Sequence, residues 1–196
     1  MVIIGVTGGL GSGKSTACKF FAEKGAYIFD ADVVAKEILL SNKELQNRIS
    51  DEYGAGILQD GKIDFHKLAK VAFLSEDNQT ILNDLVHPLV IEDFEKKTVE
   101  MDNKTELFVV DAPLIFESGL DSRLDHTVLI YTKLKHRLER AIRKGRLSRD
   151  DILRRIDLQM PEEEKRGLAS YIVLNNGSEE DLRAEIYKLY DELMGS

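Results

Sequence analysis

Short apolar runs recur along the chain, and each is closed by glycine or by polar residues. Runs of four to six apolar, largely β-branched residues predict strands. They span residues 2–6, 26–29, 107–110, 127–131 and 171–174. Because these runs are apolar throughout rather than alternating, they indicate strands buried on both faces, as in a parallel sheet covered by helices.

Helical spacing of apolar residues fills the intervals between the predicted strands. Helices are predicted over residues 15–24, 33–40, 133–145, 149–159 and 179–194. Residues 41–103 are mostly helical and polar, with enough apolar positions for a small core of their own. Within them, His87-Pro88 is predicted as a loop or a helix start. We therefore expect a core formed by residues 1–40 and 104–196, with residues 41–103 as a helical insert.

A polar cluster follows four of the five predicted strands. The clusters are the glycine-rich stretch after residue 7, Asp30 with Asp32, Asp111, and Asn175 with Asn176. Ligands of open parallel sheets bind beyond the carboxyl ends of the strands. These side chains therefore mark the expected ligand site.

Length and composition narrow the class of protein. The chain has 196 residues, 43% of them hydrophobic, which suffices for one compact domain with a small insert. A net charge of −8 argues against nucleic acid as the main partner. The apolar run at residues 2–6 is too short for a signal or a membrane span, so we expect no membrane partner. The single cysteine, Cys18, excludes an intrachain disulfide and fits a reducing cytoplasm.

The most informative motif is a phosphate-binding loop (P-loop), with Gly8 followed after four residues by Gly13, Lys14 and Ser15. It lies between a predicted strand and a predicted helix, as the motif requires. Backbone N–H groups and the helix N-terminus favour an anion there. Lys14 would meet the β- and γ-phosphates, Ser15 would contact Mg²⁺, and Thr16 would reach the α-phosphate. The predicted nucleotide-binding residues are Gly11, Ser12, Gly13, Lys14, Ser15 and Thr16.

Carboxylates near the expected site suit phosphoryl transfer, but each has an alternative role. Asp32 opens a predicted helix and is the better candidate base, although an N-cap is an equal alternative. Asp111 suits the Mg²⁺ shell, directly or through water, or else serves as a turn residue. Glu117 either binds substrate or caps the next segment. The role of Asp30 stays open.

Residues 133–155 concentrate positive charge in an acidic chain. Lysines and arginines lie at positions 133, 135, 137, 140, 143, 144, 146, 149, 154 and 155. They form either a solvated face paired with Glu139, Asp150 and Asp151, or a lid that brings arginines to the transferring phosphoryl group. A nucleic-acid surface has no stacking aromatics nearby to support it.

Taken together, these residues resemble the dephospho-coenzyme A kinase family over nearly the whole chain. The resemblance rests on residues 4–15, 30–32, 87–88, 113–120, 155–156, 159–161 and 175–177. The P-loop is generic, whereas Asp30-Ala31-Asp32, the Pro-Leu-Ile-Phe-Glu segment at 113–117 and the Gln-Met-Pro segment at 159–161 are specific.

The resemblance implies an α/β, P-loop kinase-like three-layer fold with a five-stranded parallel sheet. It implies phosphoryl transfer from ATP to the ribose 3′-hydroxyl of dephospho-coenzyme A, with Asp32 as the base. The acceptor-binding residues would be His87, Pro88, Leu114, Phe116 and Glu117, and residues 41–103 would form the acceptor-binding domain. Arg140 matches a lid arginine within a lid of about residues 133–165. Asn175 and Gly177 would lie near the adenine. We expect the protein to be a monomer or a weak homo-oligomer.

Three positions depart from the family pattern: Lys36, Lys144 and Ser170. The departure at Lys144 leaves open which of Arg143, Lys144 and Arg146 contacts the phosphates. Two other functions remain: another nucleoside or nucleotide kinase, and a P-loop switch protein that hydrolyses its nucleotide.

Overall fold

A computed structural model describes residues 1–145 and 147–195 as strands alternating with helices. In chain order the elements are β1 (Val2–Thr7), α1 (Lys14–Glu23), β2 (Tyr27–Asp30), α2 (Ala31–Ser41), α3 (Lys43–Tyr53), β3 (Leu58–Gln59), β4 (Lys62–Ile63), α4 (Phe65–Ala72), α5 (Glu76–Met101), β5 (Leu107–Asp111), β6 (His126–Tyr131), α6 (Leu134–Arg143), α7 (Arg149–Asp157), α8 (Glu162–Leu168), β7 (Tyr171–Leu174) and α9 (Glu179–Leu193).

The five long apolar runs form one sheet in the order β2-β5-β1-β6-β7. Every neighbouring pair is parallel. The predicted five-stranded parallel sheet is therefore confirmed. Because all five strands point the same way, their carboxyl ends share one edge, where the polar clusters lie.

Helices α1 and α9 cover one face of this sheet and build the main core. Phe20 and Phe21 of α1 and Ile186 of α9 are fully buried with the sheet residues Ile4 and Val6. On the opposite face the chain approaches the backbone of β1 closely. A Cβ at Gly5 would overlap the side-chain ends of Ile115 and Leu124, which would have to shift to admit a larger residue.

The chain divides into two compact units, residues 1–30 with 97–196 and residues 31–96. The second unit starts earlier than the expected insert because α2 packs against α3. It ends earlier because the last turn of α5 is assigned to the first unit. The first unit holds the sheet, and the second holds helices α2 to α4 and most of α5.

The second unit contains a short hairpin where the sequence was expected to be mostly helical. Strands β3 and β4 pair antiparallel, with Leu58 opposite Ile63. Asp60 and Gly61 form the turn and both have positive φ, 51° and 72°. The Asp-Gly dipeptide favours this turn because both central residues tolerate positive φ. The expectation of a mostly helical segment missed this signal.

The expectation for His87-Pro88 was wrong, because both residues lie inside the 26-residue helix α5. A proline inside a helix removes one backbone hydrogen bond and usually ends or kinks the helix. Here Val86, Val90 and Phe94 are buried at helical spacing around the dipeptide. Burial of this apolar face on both sides of Pro88 offsets the local cost.

Helix α8 was not predicted, although its ends carry clear signals. Pro161 precedes it, its first turn holds Glu162, Glu163 and Glu164, and Lys165 and Arg166 lie in its last turn. This charge order complements the helix dipole. None of the helices in the described part of the chain combines the length and apolar character needed to cross a membrane.

The N-terminal cap of helix α9, which packs in the main core, is expected to contribute to stability. Ser178 caps it, accepting a hydrogen bond from Asp181 N at 3.1 Å, while Ser178 N donates to Asp181 Oδ2 at 2.9 Å. We expect Ser178→Ala to lower the free energy of unfolding by about 1 kcal/mol, since a capping hydroxyl typically contributes that much. Urea unfolding monitored by circular dichroism measures the change. Lys188→Ala, on the exposed face of the same helix, is the control, and equal midpoints for the two variants would contradict the expectation.

Candidate active site

The loop between β1 and α1 adopts the compact turn that its glycines predict. Ser12 N donates to Gly9 O at 3.0 Å, and the N–H groups of Thr16 and Ala17 both donate to Gly13 O at 3.0 Å. Helix α1 therefore starts at Lys14, directly after the glycines. The N–H groups of a first helical turn have no intrahelical acceptor, so this end of α1 favours an anion.

Three donors from different elements converge on the carbonyl oxygen of Ser12. Asn175 Nδ2 lies at 2.7 Å, Thr132 Oγ1 at 2.9 Å and Arg140 Nη1 at 3.5 Å from it. The C=O and the following N–H of a trans peptide point in opposite directions. Fixing the Ser12 carbonyl therefore fixes the Gly13 N–H on the opposite side of the loop.

A second carbonyl of the loop is held in the same manner. Arg137 Nε donates to Leu10 O at 3.0 Å, so the Gly11 N–H is directed away from Arg137. Two N–H groups, those of Gly11 and Gly13, are thus oriented by side chains outside the loop. Oriented backbone N–H groups of this kind form a concave anion site.

The glycines themselves are required by these close contacts. Gly11 and Gly13 have φ of 82° and 96°, a region that disfavours side chains. A Cβ on Gly11 would overlap the backbone of Arg137, and one on Gly13 would overlap the Asn175 amide. The loop could not keep this position with any larger residue at either place.

Lys14 and Asp111 lie together at the carboxyl edge of the sheet. Lys14 Nζ contacts Asp111 Oδ1, and their side chains are 13% and 5% exposed. Asp30 is the register partner of Asp111 on the neighbouring strand, so the two aspartates are side by side on one face. Ser15, the next residue of α1, is exposed. Two carboxylates and a lysine therefore lie together at the mouth of the loop.

Cys18 lies one helical turn after Lys14 and is buried. The pKa of the Cys18 thiol is raised to about 12, mainly because the thiol is buried. The charge of Asp30 adds to this rise, and the charge of Lys14 opposes it. At neutral pH the thiol is therefore protonated and acts as a small apolar side chain.

The described residues of the basic segment differ in their contacts. Arg140 Nη1 donates to Ser12 O of the phosphate loop, whereas Arg154 pairs with Asp151 at 3.6 Å on the exposed face. The role of Arg140 as a lid arginine stays a prediction. Arg143 and Lys144 are exposed. Arg146, the third candidate for a phosphate contact, lies outside the described residues.

The sequence left Arg137 open between a solvated cation and a lid arginine, and the structure shows it only 4% exposed. Burial lowers the pKa of its guanidinium, and the nearby Glu162 opposes this shift. Its spacing from the buried Ala141 was the signal that sequence reasoning missed, since positions i and i+4 share a helix face.

The segment after β5 carries three of the proposed acceptor residues. Leu114 and Phe116 are half-buried. Glu117 Oε1 accepts from Met160 N at 3.0 Å and lies 2.8 Å from Lys165 Nζ. Lys165 is completely buried and was also missed, because it lies 48 residues from Glu117 in a short helix that was not predicted.

Asn175 and Gly177 follow β7 at the same edge. Asn175 is 5% exposed, and its amide supports the phosphate loop through Ser12. Gly177 is exposed, and a Cβ there would overlap Asp181. The contact of Asn175 and Gly177 with adenine stays a prediction.

Three predicted site residues belong to the second unit. Asp32 is exposed in the first turn of α2, which begins at Ala31, so Asp32 is not the N-cap. A carboxylate at this place is stabilised by the helix dipole. In the middle of α5, His87 is half-buried and Pro88 is exposed.

The geometry defines a class of protein. A parallel sheet, a glycine loop with two oriented N–H groups, and the Lys14–Asp111 pair beside it are the features of a P-loop nucleotide-binding protein. Among the described residues, no cluster of three or more histidine, cysteine or acidic side chains could hold a metal ion by itself.

Comparisons with known proteins identify the family within this class. The dephospho-CoA kinase family model matches residues 2–181. A dephospho-CoA kinase of Bacillus licheniformis is 36% identical over 192 residues, covering 97% of this chain and 96% of the relative. The chain belongs to the dephospho-CoA kinase family.

Two solved structures are similar to this chain over nearly its whole length. The crystal structure of TT1252 from Thermus thermophilus is 33% identical with a TM-score of 0.82, covering 98% of this chain and 97% of that one. The dephospho-CoA kinase from Campylobacter jejuni is 29% identical with a TM-score of 0.72, covering 97% and 96% of the two chains. The family resemblance of the sequence is thereby confirmed.

The environment of Cys18 yields a prediction. With a pKa of about 12, the native thiol stays protonated at a pH of about 8.5, and alkylation by iodoacetamide needs the thiolate. We expect native protein to react at least about tenfold more slowly than protein unfolded in guanidinium, where an ordinary thiol pKa is restored. Mass spectrometry of timed samples measures both rates. Similar rates in the two states would show that the thiol is accessible.

Proposed function

We propose that this chain transfers the γ-phosphoryl group of ATP to the ribose 3′-hydroxyl of dephospho-coenzyme A, the last step of coenzyme A synthesis. The observation that carries the proposal is the phosphate loop with its fixed Gly11 and Gly13 N–H groups, in a chain of the dephospho-CoA kinase family. Phosphoryl transfer depends mainly on positioning and on stabilising negative charge, and a rigid loop supplies both.

The phosphate loop and the start of α1 bind the phosphoryl donor, ATP. Residues 11–16 bind the phosphates, with Lys14 on the β- and γ-phosphates. Because Lys14 contacts Asp111 and has a long flexible side chain, we expect its ammonium to turn from the carboxylate to the phosphates when ATP binds. Arg140, held near Ser12, stabilises the negative charge on the transferring group.

Mg²⁺ fits the residues at this edge. The Ser15 hydroxyl and the Asp111 carboxylate are hard oxygen ligands, contacting the ion directly or through water. Mg²⁺ keeps several waters and takes phosphate oxygens rather than a cage of protein ligands, which agrees with the lack of a three-residue metal cluster in the described chain. When bound, it neutralises charge on the phosphate oxygens.

Asp32 is the proposed base for the 3′-hydroxyl. It follows Asp30 by two residues, so covalent geometry keeps the two Cα atoms within about 8 Å of each other. Asp30 in turn lies beside Asp111. An exposed carboxylate is accessible to substrate, and the segment Asp30-Ala31-Asp32 resembles the family pattern in which the second aspartate is the base.

The remaining assignments rest on the family resemblance of the sequence motifs. His87, Pro88, Leu114, Phe116 and Glu117 bind the acceptor, the former two from residues 41–103. Asn175 and Gly177 approach the adenine, and the segment from about 133 to 165 closes as a lid. We further propose a cytoplasmic monomer or weak homo-oligomer without a nucleic-acid partner, supported by the lone reduced cysteine and the net charge of −8.

An acceptor panel tests the proposal. Purified protein with ATP and Mg²⁺ is offered dephospho-coenzyme A, adenosine, AMP or water, and ADP release is followed together with product mass. We expect a 3′-phosphorylated product with dephospho-coenzyme A only, because the other acceptors lack the phosphopantetheine arm and the binding energy that it supplies. Preferred phosphorylation of adenosine or AMP would indicate another nucleotide kinase, and acceptor-independent hydrolysis a switch protein.

The role of Asp32 has its own test. We expect Asp32→Asn to lower kcat by about 10²–10⁴-fold, because general-base assistance is typically worth that factor, while ATP affinity is retained. Lys14→Ala should instead weaken ATP binding, since it removes the charge that meets the phosphates. Asp30→Asn is the matched control for the neighbouring carboxylate. A kcat for Asp32→Asn within threefold of wild type would overturn the assignment.

A further inference from the structure

The segment Gln159–Lys165, called here the clasp segment, contacts the phosphate loop from outside. Glu162 Oε1 accepts from Gly9 N at 2.8 Å, and Gln159 Oε1 accepts from Leu10 N at 3.4 Å. These N–H groups belong to the first half of the loop. The clasp segment therefore holds the part of the loop that precedes the phosphate-binding residues.

The same glutamate holds the arginine that orients the loop. Glu162 Oε1 lies 3.4 Å from Arg137 Nη1, and the two side chains are only 12% and 5% exposed. Arg137 Nε donates to Leu10 O, which directs the Gly11 N–H to the opposite side. One carboxylate oxygen thus supports two peptides of the loop, Gly8–Gly9 directly and Leu10–Gly11 through Arg137.

Stability alone does not account for a glutamate in this place. Its second oxygen, Oε2, is buried and finds no hydrogen-bond partner among residues 1–145 and 147–195. A buried, partly unsatisfied carboxylate costs free energy, and such groups in a native fold call for an explanation. Orientation of the loop is the role that its contacts provide.

The other end of the clasp segment holds the loop after β5. Lys165 Nζ donates to Pro113 O at 2.7 Å and lies 2.8 Å from Glu117 Oε1. Met160 N donates to the same oxygen at 3.0 Å. Lys165 is completely buried, so this ammonium has exchanged water for the carbonyl and the carboxylate.

We propose that the clasp segment is a positioning element joining the two substrate loops, with Glu162 setting the ATP loop and Lys165 setting the acceptor loop. The acceptor half rests on the proposed function, since it takes Glu117 and its neighbours to bind dephospho-coenzyme A. Neither Glu162 nor Lys165 touches the phosphates; each acts through the loop that it holds. Because seven residues carry both sets of contacts, they hold the two loops relative to each other within the first unit, and the closing movement of the proposed lid falls to the residues before Gln159.

The test separates the two substrates. Glu162→Gln keeps the shape of the side chain but removes the charge that Arg137 requires, so we expect the KM for ATP to rise about tenfold, the effect of losing one charged hydrogen bond. The KM for dephospho-coenzyme A should stay within about twofold. Lys165→Met should give the reverse pattern. Glu164→Gln and Lys188→Met, at exposed positions, are the matched controls.

Binding measurements keep the two halves of the proposal distinct. Titration with a non-hydrolysable ATP analogue reports on Glu162→Gln without any acceptor, so its result stands even if dephospho-coenzyme A is not the acceptor. Absence of activity with that acceptor in the wild type would overturn the proposed function and, with it, the Lys165 half. If Lys165→Met does not fold, Lys165→Arg, which keeps the positive charge but changes its geometry, is measured instead and should raise the acceptor KM while the KM for ATP stays within about twofold.

Some outcomes would overturn the clasp proposal itself. An analogue affinity unchanged by Glu162→Gln would show that the loop is ordered without the glutamate. An equal rise of both KM values in each variant, tracking a fall in the unfolding midpoint, would show a purely structural role. Midpoints are therefore measured for all variants and controls.

Discussion

The carbonyl of Ser12 is the point on which the site depends. It accepts hydrogen bonds from Thr132, Asn175 and Arg140, which lie after β6, after β7 and on α6. Backbone carbonyls in a loop would otherwise turn toward water, and a loop rich in glycine has many conformations to lose. Convergence of three donors selects one peptide orientation before any anion arrives. The site is preorganised by hydrogen bonds from side chains that lie outside the loop.

Preorganisation of this kind favours phosphoryl transfer for an electrostatic reason. Donors fixed before the reaction need no reorganisation when negative charge shifts in the transition state. Here the cost of ordering the loop is offset by folding of the first unit, because the supporting side chains are themselves buried in it. The parallel sheet contributes by bringing the ends of β1, β2, β5, β6 and β7 to one edge. Loops that are far apart in sequence thereby become neighbours.

The features that could be predicted from the sequence were those that depend on the local pattern of residues. Apolar runs located all five long strands, and the spacing of Gly8, Gly13 and Lys14 located the loop. Local signals misled at His87-Pro88, where burial of Val86 and Val90 outweighed the preference of proline against helix interiors. The short hairpin at Asp60-Gly61 had a turn signal but too few strand residues to be noticed.

The supporting side chains could not be found in this way. Arg137 and Glu162 are 25 residues apart, and Lys165 and Glu117 are 48 apart, so their pairing depends on the tertiary fold. In sequence Arg137, Glu162 and Lys165 read as ordinary charged residues. Asn175 was placed near adenine by resemblance, and its bond to the loop backbone had no sequence signal.

The fit of Gly13 against Asn175 has an evolutionary consequence. Neither Gly11 nor Gly13 can accept a side chain without displacing Asn175 or the backbone of Arg137, whatever ligand the loop holds. These glycines are thus under selection for folding as well as for substrate. A descendant that lost its catalytic activity would be expected to retain them for as long as it kept its fold. In such a descendant, the glycine motif would therefore indicate only that the fold is intact. The presence or absence of Lys14 and Asp32 would indicate whether the protein is still an active enzyme.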